Sequence, residues 1–309
     1  ADGLGMIYET LTTGSSDEAF TEYGLIAEKI EYPEDRSWVI YHLNPKAKFN
    51  DGEPIKVEDV IFTFNTLIKK GTPFYKSYYG DIVEVKDLGN RKVKFKFREG
   101  TTNRELVLIT GQLPVLPKHF WESKDFSKST LEPPLGSGAY RIKDFKAGKY
   151  ITYERVKKYW AINHPVNKGR YNFDTVRYDY YRDSTVALEA FKAGEYDFRE
   201  EMNSKFWGTM YYGKIFDEKL TIKEEINHEI PRGMQGFAFN LRRPKFNNRK
   251  VREAIGYAFD FEWSNKNLFY GQYKRTDSFF ENSELASSGL PSPEELVILK
   301  PMQKNLPKE

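Results

Sequence analysis

The strongest structural signal in this chain is the stretch GMQGFAFNLRRP, residues 233–244, which leads directly into KFNNRKVREAIGYAFD, residues 245–260. In the first part, Phe237, Phe239 and Leu241 alternate with smaller or polar residues. Alternation with a period of two is typical of a half-buried β-strand, because successive side chains of a strand point to opposite faces. The first part therefore predicts a strand.

The second part of this stretch predicts a turn and a helix. Pro244 is expected to end the strand because proline cannot donate a hydrogen bond to a strand ladder. Either Asn247 or Asn248 can then accept hydrogen bonds from the first free amides of a helix. The apolar residues that follow have the spacing of one helix face, namely Val251, Ala254, Ile255, Ala258 and Phe259.

The composition is that of a globular chain of 309 residues, which is long enough for two domains. Hydrophobic residues make up 39% and charged residues 30%, a balance that can bury a core and differs from that of a disordered chain. The 48 basic and 45 acidic residues are interleaved, which argues against a dedicated nucleic-acid binder. The absence of cysteine excludes disulfides, thiol catalysis and Cys-ligated metals.

The rest of the sequence predicts a mixed α+β or α/β fold, with strands in clusters rather than in strict alternation with helices. The expected strands are 8–12, 38–43, 93–97, 140–145, 150–156 and 175–181. The expected helices run over 57–68 with Gly71 at the end, briefly after 116, from a Ser184 cap to Gly194, and weakly over 293–299.

Six patches of the sequence, in the same order, resemble family 5 of the extracellular solute-binding proteins, the peptide-capturing receptors of ABC importers. The spelling is most similar to the YejA-type branch of that family. The patches are the stretch already quoted, YETL at 8–11, KFNDGEP at 48–54, VEDVIFTF at 57–64, GSGAY at 136–140 and LEAFKAGEYD at 188–197. Ala139 stands where the family commonly has proline.

This resemblance implies a periplasmic binding protein-like fold of class II with an accessory subdomain. Residues 1–130 would form the accessory subdomain, with a short piece of lobe I at its start, and residues 131–234 would form lobe I. Residues 235–309 would begin lobe II, which we expect to be truncated, with a Pro-rich tail at 285–309. The expectation is therefore a fragment of a receptor, without its signal peptide, or one half of a receptor that a second chain completes.

The function implied by the resemblance is capture of oligopeptides or peptide-like compounds between two lobes, followed by hinge closure. The partner would be the membrane permease of an ABC importer, and the location would be periplasmic or extracellular and membrane-tethered. No catalysis, cofactor, metal or nucleic acid is expected. Two alternatives stay open: a fragment that does not bind ligand by itself, and the same fold with an oligosaccharide, opine or peptide–nucleotide cargo.

The sequence offers two kinds of candidate ligand site. Backbone can approach a ligand closely at glycines such as Gly236, and Arg232 can pair with a carboxylate. Trp207 would stack on a ligand from a loop-like position, although it could equally pack in a core. The full set of expected ligand-binding residues is Tyr8, Thr10, Gly136, Ser137, Gly138, Trp207, Arg232, Met234, Gln235, Gly236 and Phe237.

Each candidate also has a purely structural interpretation. The glycines of Gly136-Ser137-Gly138 would either offer amides to an anion or peptide carbonyl, or serve as a flexible crossover between domains. Gly236 could be a bulge, and Arg232 could simply be solvated. An enzyme is not favoured, because the four histidines lack metal-ligand spacing. A pair of carboxylates, Asp197 with Glu200 or Glu201, is the only imitation of a hydrolase that the sequence offers.

Overall fold

The computed structural model describes residues 2–15, 18, 21–228 and 231–305. By its contacts the chain divides into two compact units. Among the described residues, the first unit takes in 2–15 and 21–197, and the second takes in residue 18 and all those from 198 onward. The division into an accessory subdomain, lobe I and lobe II stays a prediction.

The first unit contains three antiparallel sheets. The two-stranded sheet pairs β1 with β2, the four-stranded sheet has the order β3-β4-β6-β5, and the three-stranded sheet has the order β7-β8-β9. The strands are β1 Thr12–Gly14, β2 Glu22–Gly24, β3 Ala27–Glu31, β4 Trp38–Leu43, β5 Ile82–Asp87, β6 Lys92–Phe97, β7 Tyr140–Lys146, β8 Tyr150–Arg155 and β9 Thr175–Asp179.

The first unit also contains five α-helices and two short 3-10 helices among its described residues. The α-helices are α1 Val57–Lys70, α2 Pro73–Tyr78, α3 Leu106–Gly111, α4 Lys118–Trp121 and α5 Ser184–Lys192, and the 3-10 helices are Leu4–Met6 and Pro165–Asn167.

Two hydrophobic cores hold the first unit together. In β4, alternate residues Val39, Tyr41 and Leu43 are buried, and they belong to the same core as Val60 and other residues of α1. The second core joins residues far apart in sequence, since Ile7 packs with side chains of β7 and β8. The period of two in the strands and the apolar stripe of α1 therefore define the buried faces, as the sequence predicts.

The described residues of the second unit form helices and contain no strand. The helices are α6 Ser204–Thr209, α7 Lys214–Asp217, α8 Arg249–Tyr257, α9 Phe261–Leu268 and α10 Pro293–Leu299, with 3-10 helices at Pro244–Phe246 and Lys300–Asn305. Ser264 is the one residue of this unit, among those described, that is fully buried. Large apolar side chains such as Val251, Ile255 and Phe259 of the predicted helix face are exposed.

Most of the predicted elements are confirmed. They are the strand at 38–43, the helix from 57 that ends at Gly71, the strand within 92–97, the short helix at 118–121, the hairpin from 140 to 155, the strand from 175, and the helices at 184–192, 249–257 and 293–299. Asn248, one of the two proposed caps, accepts a hydrogen bond from the amide of Lys250 at 2.9 Å.

The strand predicted from Phe237 to Leu241 is wrong. Residues 231–240 form no strand with any described residue, and Phe237 is 85% exposed. An alternating pattern makes a strand only when a neighbouring strand completes the ladder and a core covers one face. Among the described residues, the backbone bond of this segment to a distant residue is from Arg232 N–H to Glu281 O.

Three local expectations also need correction. Thr10 forms only an isolated bridge with Pro114, and the strand expected over 8–12 begins at Thr12. The cap of α5 is Asp183 rather than Ser184, because the Asp183 carboxylate accepts from two helix amides. Carboxylates suit this position, since they interact favourably with the positive end of the helix dipole. Trp207 lies in α6 rather than in a loop.

Candidate functional site

A pocket of about 850 Å³ lies within the second unit, beside Trp207. We call it the Trp207 pocket. Its lining comes from α6, from the extended segment after it, and from α9 with the turn that follows: Trp207, Gly208, Lys223, Glu225, Glu262, Asn265, Lys266, Tyr270, Gly271 and Gln272. Its size falls in the range of small-molecule sites, which is roughly 300–1,000 Å³.

The start of α6, which carries Trp207, is held by two successive side-chain caps. Glu201 accepts a hydrogen bond from the Asn203 amide at 2.9 Å. Asn203 in turn accepts from the amide of Phe206 at 3.1 Å, which satisfies one of the free donors at the helix start. The position of Trp207 along the chain is therefore set by local hydrogen bonds.

The ring of Trp207 is supported from behind by Tyr211. Their ring centroids are 5.5 Å apart. The Tyr211 hydroxyl donates to Glu201 Oε2 at 2.7 Å and accepts from Arg199 Nε at 3.0 Å. Arg199 also forms an ion pair with Glu201 at 3.0 Å, and these two side chains are only 14% and 4% exposed. Tyr211 is thus fixed by a charged pair that is largely withdrawn from water.

Two charged residues of the extended segment hold the indole of Trp207. Its Nε1 donates to Glu225 Oε1 at 2.9 Å. The ammonium group of Lys223 lies 4.3 Å from the ring centroid and donates to the Trp207 carbonyl at 2.6 Å. A cation over an indole face is an attractive arrangement because the ring face is electronegative. Both charges are therefore already engaged with Trp207.

The opposite side of the pocket is formed by α9 and Tyr270. Gly208 allows Tyr270 to come close, since a Cβ at position 208 would lie 2.9 Å from the Tyr270 Cβ. Glu262 and Lys266 line the pocket from α9. Within the part of the chain that the structure describes, neither side chain has a hydrogen bond or an ion pair, so both charges face the pocket uncompensated.

The predicted residues from Arg232 to Phe237 lie outside this pocket. All five of them, Arg232, Met234, Gln235, Gly236 and Phe237, are exposed. Arg232 Nη2 lies 3.2 Å from His228 Nε2. Residues 233–239 make no backbone hydrogen bond to another described residue, so the main chain of this segment is open to pairing.

The predicted residues Gly136, Ser137 and Gly138 form a close backbone contact in the first unit. The amide of Gly138 donates to the carbonyl of Ile7 at 2.6 Å. The hydroxyl of Ser137, which is buried, accepts from the amide of Glu9 at 3.0 Å. The amides and hydroxyl of this turn thus serve the packing of the chain against residues 7–9, and a ligand-binding role for them stays a prediction.

Tyr8 and Thr10 flank a buried carboxylate. Burial raises the pKa of the Tyr8 hydroxyl to about 12. The Thr10 hydroxyl donates to the carbonyl of Thr12. Between them, Glu9 is 8% exposed, and its burial raises the pKa of its carboxyl to about 7. The sequence analysis missed Glu9, because nothing in a local pattern indicates that an acidic residue will be buried.

Other residues of the Trp207 pocket were also missed by the sequence analysis. Glu262 and Lys266 carried a visible signal, since they are spaced by four residues in a helical stretch. Lys223 and Glu225 carried none, because their contact with Trp207 depends on how the extended segment folds back. Among the described residues, no group of three or more His, Asp or Glu side chains could hold a metal ion.

The fold and the pocket together define a non-membrane-spanning α+β scaffold with a polar pocket of ligand size; none of the described helices is long and apolar enough to cross a membrane. The model of "Bacterial extracellular solute-binding proteins, family 5 Middle" matches residues 22–305. The chain therefore belongs to family 5 of the bacterial extracellular solute-binding proteins. Members of this family are extracellular or periplasmic.

Individual relatives support the same assignment. The chain is 47% identical over 303 residues to the protein YejA of Escherichia coli (strain K12), covering 98% of this chain and 50% of that protein. It is 42% identical over 319 residues to "Probable peptide-binding protein YejA" of Agrobacterium fabrum, covering 100% of this chain and 52% of the relative. The predicted membership of the family and of its YejA-type branch is confirmed.

A solved structure confirms the predicted fold class. The oligopeptide-binding protein AppA from Bacillus subtilis, in complex with a nonapeptide, superposes with a TM-score of 0.65 at 21% identity, covering 97% of this chain and 58% of AppA. At this identity the likeness concerns the fold alone. The chain spans about half the length of the curated relatives it matches.

Proposed function

We propose that this chain is the solute-recognising part of an ABC importer receptor, and that its cargo is an oligopeptide or a peptide-like compound. The observation that carries the proposal is the family match over residues 22–305. The name of the Agrobacterium fabrum relative and the peptide bound to AppA favour a peptide over other cargoes. Capture takes place outside the cytoplasm, followed by delivery to the membrane permease, without any chemical step.

The open backbone of residues 233–239 supplies a means of peptide capture. An extended peptide can add a strand to an exposed main chain, which gives affinity with little dependence on side chains. Gly236 has nothing within 4 Å of the position a Cβ would take, so a ligand backbone can approach it. The neighbouring residues Arg232, Met234 and Phe237 would add contacts to a carboxylate or an apolar side chain.

The first experiment is titration calorimetry of the purified chain with a mixture of short unlabelled peptides, with native mass spectrometry to identify what is retained. Peptide binding supports the proposal. Binding of only sugars or opines would replace the cargo while keeping the class of protein. The substitution Gln235→Pro removes one backbone donor from the open segment, and we expect peptide affinity to fall about tenfold. Ser288→Pro, in another exposed segment, is the matched control.

A second candidate is a receptor portion that needs a further polypeptide before it binds ligand. The observation that favours it is the lack of buried apolar side chains among the described residues of the second unit. Contiguous exposed apolar surface of this kind marks an interaction site. If the chain binds no peptide alone but does so when mixed with the second half of a YejA-type relative, this candidate replaces the first.

A further inference from the structure

We propose that the Trp207 pocket binds a peptide of two or three residues by both charged ends, with Glu262 receiving the ammonium group and Lys266 the carboxylate. This inference rests on the proposed function, and it adds a peptide length and two specificity-determining residues. The pocket and all of its lining side chains belong to the second unit.

The first support is the unusual state of the pair on α9. Glu262 and Lys266 are four residues apart, with the acid on the N-terminal side, which is the favourable order for an ion pair along a helix. Yet no ion pair between them is present, and neither side chain bonds to another described residue. Both side chains line the pocket, so their opposite charges are available to a ligand.

The second support is the match in length. Residues four apart on a helix have Cβ atoms separated by roughly 5–6 Å. An extended peptide advances about 3.3–3.6 Å per residue, so the two ends of a dipeptide are roughly 7 Å apart. The flexible Glu262 and Lys266 side chains can splay to reach the ends of a tripeptide. A longer peptide could not place both ends on this pair.

The third support is the fixed geometry of the rest of the pocket. Lys223 and Glu225 are already bound to Trp207, at 2.6 Å and 2.9 Å, so they add no free charge. Trp207 rests on Tyr211, which Arg199 and Glu201 hold in turn. A rigid aromatic wall lowers the entropy lost on binding. The ends of the peptide therefore meet free charges, while its middle lies against rings.

The test uses four peptides on the unaltered chain: trialanine, N-acetyl-trialanine, trialanine amide and the doubly blocked peptide. Calorimetry is expected to give about tenfold weaker binding for each block, because each removes one charge-assisted contact. Equal affinities for all four peptides would overturn the inference while leaving the proposed function intact. No binding of any of them would contradict both for this chain.

Two variants assign the ends. Glu262→Gln should weaken trialanine binding about tenfold and leave the affinity for N-acetyl-trialanine unchanged. Lys266→Gln should do the same for trialanine amide. The matched controls are Glu253→Gln and Lys250→Gln on α8, which are exposed and lie outside the pocket. If each pocket variant weakens all four peptides equally, the assignment of the two ends is wrong.

Discussion

The hydroxyl of Tyr159 donates a hydrogen bond to the carboxylate of Glu9, across 150 residues of sequence. Asn167 donates to the same hydroxyl at 3.1 Å and to the carbonyl of Ala161 at 3.0 Å, so the tyrosine is held in place. Arg170 attracts the Glu9 carboxylate electrostatically. This network attaches the segment before β1 to the turn after β8, and it does so with a buried acid.

Glu9 is expected to make the stability of the chain depend on pH. Burial raises the pKa of its carboxyl from 4.5 to about 7, so the folded protein binds this proton more tightly than the unfolded chain does. The free energy of unfolding should therefore fall as pH rises from about 4.5 to 7, by roughly 3 kcal/mol from this group. Urea unfolding at pH 5 and pH 8 measures the change.

The substitution Glu9→Gln should remove this dependence, because the amide carbonyl still accepts from Tyr159 but carries no proton to lose. Relative to the unaltered chain, the variant is expected to gain stability between pH 5 and pH 8. Glu28→Gln, an exposed acid, is the control and should show no such gain. An unchanged pH profile for Glu9→Gln would mean that the buried carboxylate keeps its ordinary pKa.

Tyr41 should contribute to stability through its hydroxyl. The side chain is fully buried, and its hydroxyl donates to the Val107 carbonyl at 2.6 Å and lies 2.8 Å from Thr110 Oγ1. Tyr41→Phe deletes these bonds without changing the ring, so we expect a loss of about 1–2 kcal/mol. Tyr32→Phe, at a site 52% exposed, should leave the unfolding midpoint where it is.

Two glycines that the sequence treats alike should respond differently to alanine. A Cβ at position 136 would lie 2.1 Å from the Ile7 carbonyl oxygen, whereas one at position 236 would have nothing within 4 Å. Gly136→Ala should therefore cost about 1–3 kcal/mol, since backbone must move. Gly236→Ala should stay within about 0.5 kcal/mol of the unaltered chain. Similar unfolding midpoints for the two variants would contradict the close contact at Ile7.

The Arg199–Glu201 pair should show a large cost for a single change and a partial recovery for two. Arg199→Met leaves the Glu201 carboxylate, which is 4% exposed, without its cation, and we expect a loss of about 1.5–3 kcal/mol. Adding Glu201→Gln removes the stranded charge and keeps an acceptor for Asn203, so at least half of the loss should return. Additive losses in the double variant would indicate that the two side chains act independently.

The local elements were accessible to the sequence analysis because their causes lie within a few residues. The helix α1 has an apolar stripe and a terminal glycine, β4 alternates, and Asn248 can cap α8 by reaching the amide two residues on. The candidate site was much less accessible. Trp207 could be named as an exposed ring, but its partners Lys223 and Glu225 follow only from the way the chain returns to it.

By itself the sequence determined the helices, the confirmed strands and the membership of family 5, because caps, periodicity and family motifs depend on neighbours along the chain. Only the tertiary structure decided that Glu9 is buried against Tyr159, that Gly136 lies against Ile7, and that Phe237 lies in no described strand. The physical reason is the same in each case. Burial and strand pairing are properties of distant segments brought together, and no local pattern specifies which segment will arrive.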